Sequence, residues 1–409
     1  MKIVILVPGF PKLSETFIIN KFLGLLRMDI DVSIVCQRKN TSDWQYFPQL
    51  ARDRKLRKKI HAIPPHGSAF PVVFLFPFVF LFALFAHPAK TVRYLVRGKK
   101  KFGLSLIKRF YLDAKLIQTS PDIIHFEFGA LAARQMYLSE LLNCRLVVSF
   151  RGYDINYVGL EDPGYYTRVW RQAHALHFLG KDLWNRAKKR GCPESKPVYF
   201  IPPAIDTGLF NPGEKEQIAE RGTPESPLRI LSVGRLEWKK GYEFALQSIR
   251  VLREKGIHCH YRIIGTGEHI NALICARRHL ELDSCVEILG PLQPAGVKKE
   301  MERSDVFLQA SVSEGFCNAV MEAQAMKLPV VCTDADGLGE NVKHGVTGFV
   351  VPRRSPRALA DAMEKLARNP FLRHEYGEAG RNRIMNKFQL NDQIKLFADM
   401  YNDAVKEKY

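Results

Sequence analysis

The sequence predicts an α/β protein made of two domains, each built on a doubly wound parallel sheet. Its 409 residues exceed the roughly 100 to 200 residues of one ordinary domain. Each half opens with a buried strand, a glycine turn and an amphipathic helix, at residues 2–26 and again at 228–254. Residues 213–227 are polar and interrupted by glycine and proline, as in a linker. The predicted divisions are an amino-terminal domain, the linker, a carboxyl-terminal domain and a closing amphipathic helix: 1–212, 213–227, 228–387 and 388–409.

The amino-terminal half begins with a predicted strand over residues 2–7, a turn at residues 8–11 and a helix over residues 15–26 with Ser14 as its N-cap. Such a start is common in mononucleotide-binding domains, although one glycine turn is weak support for a ligand. Further apolar strands are predicted for the same sheet at 31–36, 123–126 and 146–150.

An apolar run with six phenylalanines occupies residues 72–86, and residues 51–116 around it hold 15 lysines and arginines but two aspartates. The run is shorter than the about 20 residues of a membrane span and contains Pro77. A single crossing would also place strands of one sheet on opposite sides of the membrane. We therefore interpret residues 52–116 as a segment that docks on an anionic membrane surface. A helix buried in the domain or at an oligomer contact is the alternative.

The remaining composition narrows the class of protein. The net charge of +19 does not point to nucleic acid, because the cations flank phenylalanines rather than a polar groove with spaced aromatics. Eight cysteines without a Cys-x-x-Cys pair or zinc-type spacing favour reduced thiols in a cytosolic protein. The apolar start breaks at Pro8-Gly9, so we expect a first strand rather than a signal peptide.

The carboxyl-terminal half repeats the pattern with a predicted strand at 228–233, a turn at Gly234 and a helix at 241–254. Arg235 supplies a planar fork and Lys240 a point charge, which together suit a diphosphate. Surface ion pairing is the alternative for Lys239 and Lys240. A strand at 261–264 then ends in the loop Gly265-Thr266-Gly267.

Two carboxylates stand eight residues apart in the next loop and helix. Glu314 precedes the predicted helix and Glu322 lies about two turns inside it, so they could contact different parts of one ligand. Backbone N–H groups at such a junction attract anions. Taken alone, the pair reads more simply as an acid near an N-cap and a solvated helix residue.

Several motifs resemble those of retaining glycosyltransferases of family 4, which have the GT-B fold. E-G-F-C-N-A-V-M-E at 314–322 resembles their E-x7-E motif, and G-R-L-E-W-K-K-G at 234–241 is similar to their V-G-R-L-x-x-x-K-G. P-D-I-I-H at 121–125 and I-P-P-A-I-D at 201–206 are similar to other family segments. P-x-x-S-E-T-F at 11–17 resembles the opening of bacterial transferases that build exopolysaccharides such as colanic acid.

The resemblance implies two facing Rossmann-like domains, with the final helix crossing back to the first. It also implies transfer of a sugar, with retention, from a nucleotide-sugar to a hydroxyl of a saccharide. Glu314 would then lie against the donor sugar, while Arg235 and Lys240 would stabilise charge on the leaving diphosphate. Glu322 would bind the ribose hydroxyls. The other donor-binding candidates are Gly234, Gly265, Gly267, Gly315, Phe316 and Cys317.

The acceptor-side candidates are Gly9, Phe10, His125, Arg151 and Asp154. Glu127 stands where a second histidine is common in the family, and no histidine stands at Phe150 or Arg151. Arg151 and Asp154 are therefore the substitutes to test, although the two could simply brace their loop.

Asp334-Ala335-Asp336 matches the D-x-D metal signature of a different fold, GT-A. Because the basic pair already serves the diphosphate, we interpret these as loop acids and expect no metal and no cofactor. We expect a lipid-linked acceptor at the inner face of the plasma membrane, with the protein cytoplasmic and peripherally attached. A transferase acting on a small soluble acceptor and an inactive membrane-associated scaffold remain alternatives.

Overall fold

A computed structural model describes residues 1–12, 15–64, 69–213 and 219–406, without the side chains of residues 69–71. Ser14, the middle of the predicted linker and the last three residues of the predicted closing helix lie outside the described residues. The chain forms two compact units. The first comprises residues 1–179, 184–201 and those from 394 onward, and the second comprises 180–183 and 202–393.

The first unit contains, in its described part, a seven-stranded parallel sheet in the order β3-β2-β1-β4-β5-β6-β7. The strands are β1 (Lys2–Phe10), β2 (Asp31–Lys39), β3 (Ile60–Ala62), β4 (Ile123–Phe126), β5 (Arg145–Phe150), β6 (Ala175–Phe178) and β7 (Val198–Phe200). The central strands are buried on both faces, as expected for a parallel sheet covered by helices.

Helices surround this sheet and connect its strands. They are α1 (Thr16–Arg27), α2 (Pro48–Arg52), α3 (Arg54–Lys58), α4 (Ala69–Ala86), α5 (Pro88–Phe102), α6 (Leu106–Thr119), α7 (Gly129–Ala132), α8 (Leu138–Leu142), α9 (Gly152–Asn156), α10 (Thr167–Gln172) and α11 (Lys181–Lys189).

The first strand is longer than the sequence predicted. Gly9 pairs with Arg38 and Phe10 with Lys39, so β1 and β2 continue their ladder past Pro8. The predicted loop at residues 8–11 is therefore wrong for Gly9 and Phe10, which belong to a strand. Phe10 is buried and its ring packs edge-on against Phe22.

The second unit has, among its described residues, a six-stranded parallel sheet in the order β10-β9-β8-β11-β12-β13. Its strands are β8 (Leu228–Val233), β9 (Cys259–Ile264), β10 (Val286–Gly290), β11 (Val306–Gln309), β12 (Val330–Thr333) and β13 (Gly348–Val351). The helices that follow α11 are α12 (Tyr242–Glu254), α13 (Ile270–His279), α14 (Pro294–Glu302), α15 (Asn318–Ala325), α16 (Leu338–Asn341), α17 (Pro356–Arg368), α18 (Pro370–Lys387) and α19 (Leu390–Lys406). From residue 394 onward, α19 belongs to the first unit.

The unit boundary precedes the predicted linker. The backbone of Ile205 bridges Gln389, and Phe210 packs into the second unit's core. Arg381 Nη1 donates to the Phe210 carbonyl at 2.8 Å. These contacts attach residues 202–212 to the second unit, which corrects the predicted boundary at 212.

Candidate active site

The centre of the candidate site lies where β8 and β11 end, next to each other in the sheet. The loops after neighbouring parallel strands meet at the same edge. Here the Val312 N–H donates to the Lys239 carbonyl at 2.8 Å. That backbone bond holds Lys240 beside Glu314, and the Lys240 ammonium forms an ion pair with the Glu314 carboxylate. Gly241 follows with φ +62°, and a Cβ there would lie 2.2 Å from the Ala310 carbonyl oxygen.

The Lys240 ammonium is largely removed from water. Burial alone would lower its pKa, but the neighbouring Glu314 carboxylate outweighs burial and the pKa lies above the ordinary value. Lys240 is therefore a permanent cation at neutral pH.

Arg235 stands on the rim of the same loop, with 62% of its side chain exposed. Its Nη1 lies 2.6 Å from a carboxylate oxygen of Glu237, and Lys239 Nζ lies 2.9 Å from the other oxygen. Burial opposes the charge on Glu237, but the Lys239 hydrogen bond and the nearby cations lower its pKa. Arg235, Lys239 and Lys240 thus lie on one short segment with Glu237.

The predicted donor-binding glycines lie where two loops pack backbone against backbone. Gly265 has φ +150°, and a Cβ on it would lie 1.9 Å from the Gly234 carbonyl oxygen. A Cβ on Gly267 would lie 2.3 Å from the carbonyl oxygen of Leu236. Because no side chain fits at either position, both must be glycine, and only backbone atoms occupy these places beyond the carboxyl ends of β8 and β9.

The loop that carries Glu314 is braced by the acidic pair at 334 and 336. The Asp336 carboxylate accepts from the Glu314 N–H at 3.1 Å and from the Ser313 hydroxyl at 2.6 Å. Arg353 contacts both Asp334 and Asp336, each at 3.2 Å. The two acids therefore organise the loop, and the described part of the chain holds no cluster of three His, Cys, Asp or Glu residues suited to a metal.

The start of α15 is mostly packed inward. The Gly315 carbonyl lies against Gly337, and the Phe316 ring packs 6.2 Å from that of Phe388. The Cys317 N–H donates to Asn341 Oδ1 at 3.1 Å, and burial raises the pKa of its thiol to about 11. Cys317 was predicted to contact the donor. In the structure its amide is bonded to Asn341, and its side chain is buried in a hydrophobic core of the second unit.

Glu322 lies on α15 with a half-buried side chain. Burial raises the pKa of its carboxyl group to about 7. Within the described residues, its carboxylate makes no hydrogen bond or ion pair. Glu322 is therefore a partly buried ionisable group without a protein partner, and its predicted contact with the ribose stays a prediction.

On the acceptor side, His125 belongs to a buried chain of hydrogen bonds. The His177 Nε2–H donates to the Ile201 carbonyl at 2.8 Å, so its Nδ1 accepts from Ser149 Oγ at 2.7 Å. Ser149 Oγ then accepts from His125 Nε2 at 2.6 Å, and His125 Nδ1 accepts from the Tyr401 hydroxyl at 2.6 Å. Burial first, then nearby cations, holds the pKa of both imidazoles far below the ordinary value. Both ring nitrogens of His125 are therefore engaged by hydrogen bonds inside the first unit.

Glu127 lies beneath the same edge of the sheet, completely buried. Its carboxylate pairs with the Lys21 ammonium and, at 3.0 Å, with Arg151 Nη2. The Asp154 carboxylate accepts instead from the backbone N–H groups of Arg151 and Ala130, at 3.0 and 2.9 Å. Asp154 therefore braces its loop through the backbone, whereas the Arg151 guanidinium belongs to the Glu127 pair.

Three acceptor-side candidates have little exposed surface for a ligand: Phe10, His125 and Asp154 are at most 1% exposed. Gly9 is buried as well, although its backbone lines a cavity of about 420 Å³. Arg151 keeps 15% of its side chain exposed.

Helix α4 exposes one apolar side. Phe76 and Phe80 pack 5.8 Å from the ring of Phe110 on α6, which buries that side. The phenylalanines of the opposite side are between 61% and 84% exposed: Phe74, Phe78, Phe82 and Phe85. Helix α5 adds exposed Val92 and Val96. Among the residues that the structure describes, no helix is both long and apolar enough to cross a membrane.

Sequence reasoning missed Glu237 and the buried Lys21–Glu127 pair. Glu237 was visible as an acid between Arg235 and Lys239, a spacing that favours local pairing. Glu127 stands in the apolar strand sequence H-F-E-F-G, and a carboxylate in such a run is buried only with a partner. Its partner Lys21 lies 106 positions away, so no local pattern identified it.

Comparison with known proteins places these features in context. Residues 213–383 match the profile described as "Glycosyl transferases group 1". The chain is 28% identical to "Putative colanic acid biosynthesis glycosyltransferase WcaL" of Escherichia coli (strain K12), over 89% of this chain and 90% of that protein. It is 27% identical to the amylovoran biosynthesis glycosyltransferase AmsK of Erwinia amylovora, over 90% and 91%.

Solved structures resemble the whole chain. A glycosyltransferase from Rickettsia africae has a TM-score of 0.72 at 16% identity, over 100% of this chain and 99% of that chain. Anabaena Alr3699/HepE in complex with UDP-glucose has a TM-score of 0.72 at 15% identity, over 98% and 100%. At these identities the likeness shows the shared fold of two parallel-sheet units.

Proposed function

We propose that this chain, a group 1 glycosyltransferase with the GT-B fold, transfers a sugar from a nucleotide-sugar to a saccharide during synthesis of a cell-surface polysaccharide. The observation that carries the proposal is the Lys240–Glu314 pair beside Arg235 at the ends of β8 and β11. Relatives named for polysaccharide biosynthesis match nearly the full length, and a neighbour of the same fold binds UDP-glucose.

The cations of this site would bind the donor diphosphate. Lys240 stays charged beside Glu314, so it can stabilise negative charge that builds on the leaving diphosphate. Arg235 can add a bidentate contact by turning from Glu237 to a phosphate. With these charges in place, no metal is needed to neutralise the leaving group.

The two glutamates would orient the donor. Glu314 would accept hydrogen bonds from hydroxyls of the sugar, and Glu322 would accept them from the ribose. We propose retention at the anomeric carbon, as the E-x7-E resemblance implies. Exclusion of water from the bound donor would protect the activated sugar from hydrolysis.

Calorimetric titration tests the donor site with UDP, GDP and ADP in the absence of added metal. We expect one nucleotide to bind, and Arg235→Ala to weaken it about tenfold to a hundredfold, the worth of a charged hydrogen bond. Arg303→Ala is the matched control, because Arg303 is also exposed and pairs with one neighbouring glutamate at 3.2 Å. No nucleotide binding to the wild type would refute the proposed activity.

We also propose that the exposed side of α4 docks on the inner face of the plasma membrane and presents a lipid-linked acceptor. Exposed phenylalanines would enter the interface while exposed Lys99 and Lys100 contact anionic headgroups. Burying a phenylalanine is worth roughly 1.5–3 kcal/mol, so several rings suffice for reversible binding.

Flotation with vesicles that contain anionic phospholipid tests this attachment. We expect the wild type to float and the double variant Phe74→Ser/Phe78→Ser to stay in the soluble fraction. Phe371→Ser is the matched control, since Phe371 is 72% exposed in the second unit. A wild type that does not float would favour a small soluble acceptor.

A further inference from the structure

A cavity of about 420 Å³ opens in the first unit where β1 and β2 end. Two cations, two side-chain amides and backbone line it: Lys12, Arg38, Gln37, Asn40, Pro8 and Gly9. The Asn40 side chain donates to the Pro11 carbonyl at 3.0 Å, which fixes the rim of the cavity. Lys12 is paired with Glu15 at 2.9 Å, whereas no ion pair from the described residues engages the exposed Arg38.

Positive charge continues from this cavity to the apolar side of α4. Lys39 follows Arg38 along β2, and its charge adds to burial in lowering the pKa of Lys115 on α6. The Lys115 ammonium in turn lies 5.9 Å from the ring centre of exposed Phe82. Burial, together with the charges of Lys115 and Lys39, lowers the pKa of His61 on β3. Positive charge is therefore present at the cavity on Arg38, next to it in the sequence on Lys39, and beside the exposed ring of Phe82 on Lys115.

We propose that this cavity and the adjoining cations bind the phosphate that joins the saccharide acceptor to its lipid. The hydroxyls of a neutral sugar need no cation, whereas a phosphate is bound best by charged donors such as the Arg38 guanidinium. The lipid chain would leave the phosphate toward Phe82 and the bilayer. This inference rests on the proposed function and assigns Arg38 and Lys39 to acceptor recognition.

Binding of farnesyl diphosphate, a soluble lipid diphosphate, tests the proposal by calorimetry. Each titration contains a saturating amount of the nucleotide that binds best, so that the donor site is occupied. We expect Arg38→Glu to weaken the binding of farnesyl diphosphate at least tenfold and to leave nucleotide affinity unchanged. Arg27→Glu is the matched control, an exposed arginine at the end of α1. Arg38→Gln serves if the charge reversal lowers the melting temperature.

Each comparison decides the assignment. Equal binding to the wild type and Arg38→Glu, or an equal loss in Arg27→Glu, would overturn it. Inorganic pyrophosphate binding as tightly as farnesyl diphosphate would mean that no lipid is recognised, and glucuronate displacing the probe would assign the cavity to a carboxylated sugar. Failure of the proposed function itself would show separately, as a wild type that binds no nucleotide.

Discussion

Replacing Glu322 by glutamine tests separately how this residue affects protein stability and how it affects nucleotide binding at the proposed donor site. The carboxyl pKa is raised from an ordinary 4.5 to about 7 by burial. At about 1.4 kcal/mol per pKa unit, ionising Glu322 costs the folded state about 3 kcal/mol once the pH exceeds 7. The folded-state pKa is the higher one, so this cost is absent below about pH 4.5 and grows as the pH rises to 7.

Glu322→Gln has the same shape and no charge, so the ligand-free variant should exceed the wild type in stability by up to about 3 kcal/mol at pH 8 and match it near pH 4.5. Nucleotide affinity should change in the opposite direction to stability, because ribose hydroxyls donate best to an ionised carboxylate. Nucleotide affinity should rise between pH 6 and 8 in the wild type and stay flat, about tenfold weaker, in the variant.

Scanning calorimetry at pH 5 and pH 8, with nucleotide titrations at both, measures these effects. Glu302→Gln on α14 is the control, an exposed helical glutamate with one lysine neighbour four residues away. A stability gain that does not depend on pH would refute the burial argument. Stability and affinity that fall together would show that Glu322 is a structural residue.

Three further predictions concern the two units. Lys240→Met should leave Glu314 unpaired and cost about 1–3 kcal/mol in thermal unfolding, and adding Glu314→Gln should restore stability but not sugar transfer. Gly265→Ala should abolish nucleotide binding in calorimetry, because φ +150° and the carbonyl 1.9 Å away exclude a Cβ. As the pH falls below about 6.5, the first unit should lose stability in pH-dependent melting, because His125 and His177 bind protons more tightly when unfolded.

The sequence predicted most of what is local. The strands at 123–126 and 228–233 have the predicted bounds, and the helix predicted from 241 begins at Tyr242. Each of these elements could be predicted because its own residues form an apolar run or an apolar pattern with helical spacing. The pairing of Lys240 with Glu314 joins two motifs 74 positions apart; the family resemblance placed both residues at the donor, but it did not predict their ion pair.

What the sequence could not give is the direction of side chains on short strands. His125 lies on a strand whose two faces are both buried, and Glu127, two residues later, points to the same side, so the alternation of side chains did not indicate which face meets a ligand. Tyr401, 276 positions later, supplies the hydrogen bond that occupies His125. The same holds for the unit boundary, since Ile205 is held by Gln389 rather than by nearby residues.

We propose different roles for the two cations of the proposed donor site, because they are paired differently. Arg235 is 62% exposed, so separating it from Glu237 costs on the order of 1 kcal/mol or less. Lys240 and Glu314 are 11% and 14% exposed, and parting them would leave two poorly hydrated charges. A diphosphate would therefore draw Arg235 away from its glutamate but approach Lys240 with Glu314 still attached. We therefore propose that Arg235 governs donor affinity, whereas Lys240 and Glu314 act as one fixed unit whose charge balance shifts only as the leaving group becomes more negative.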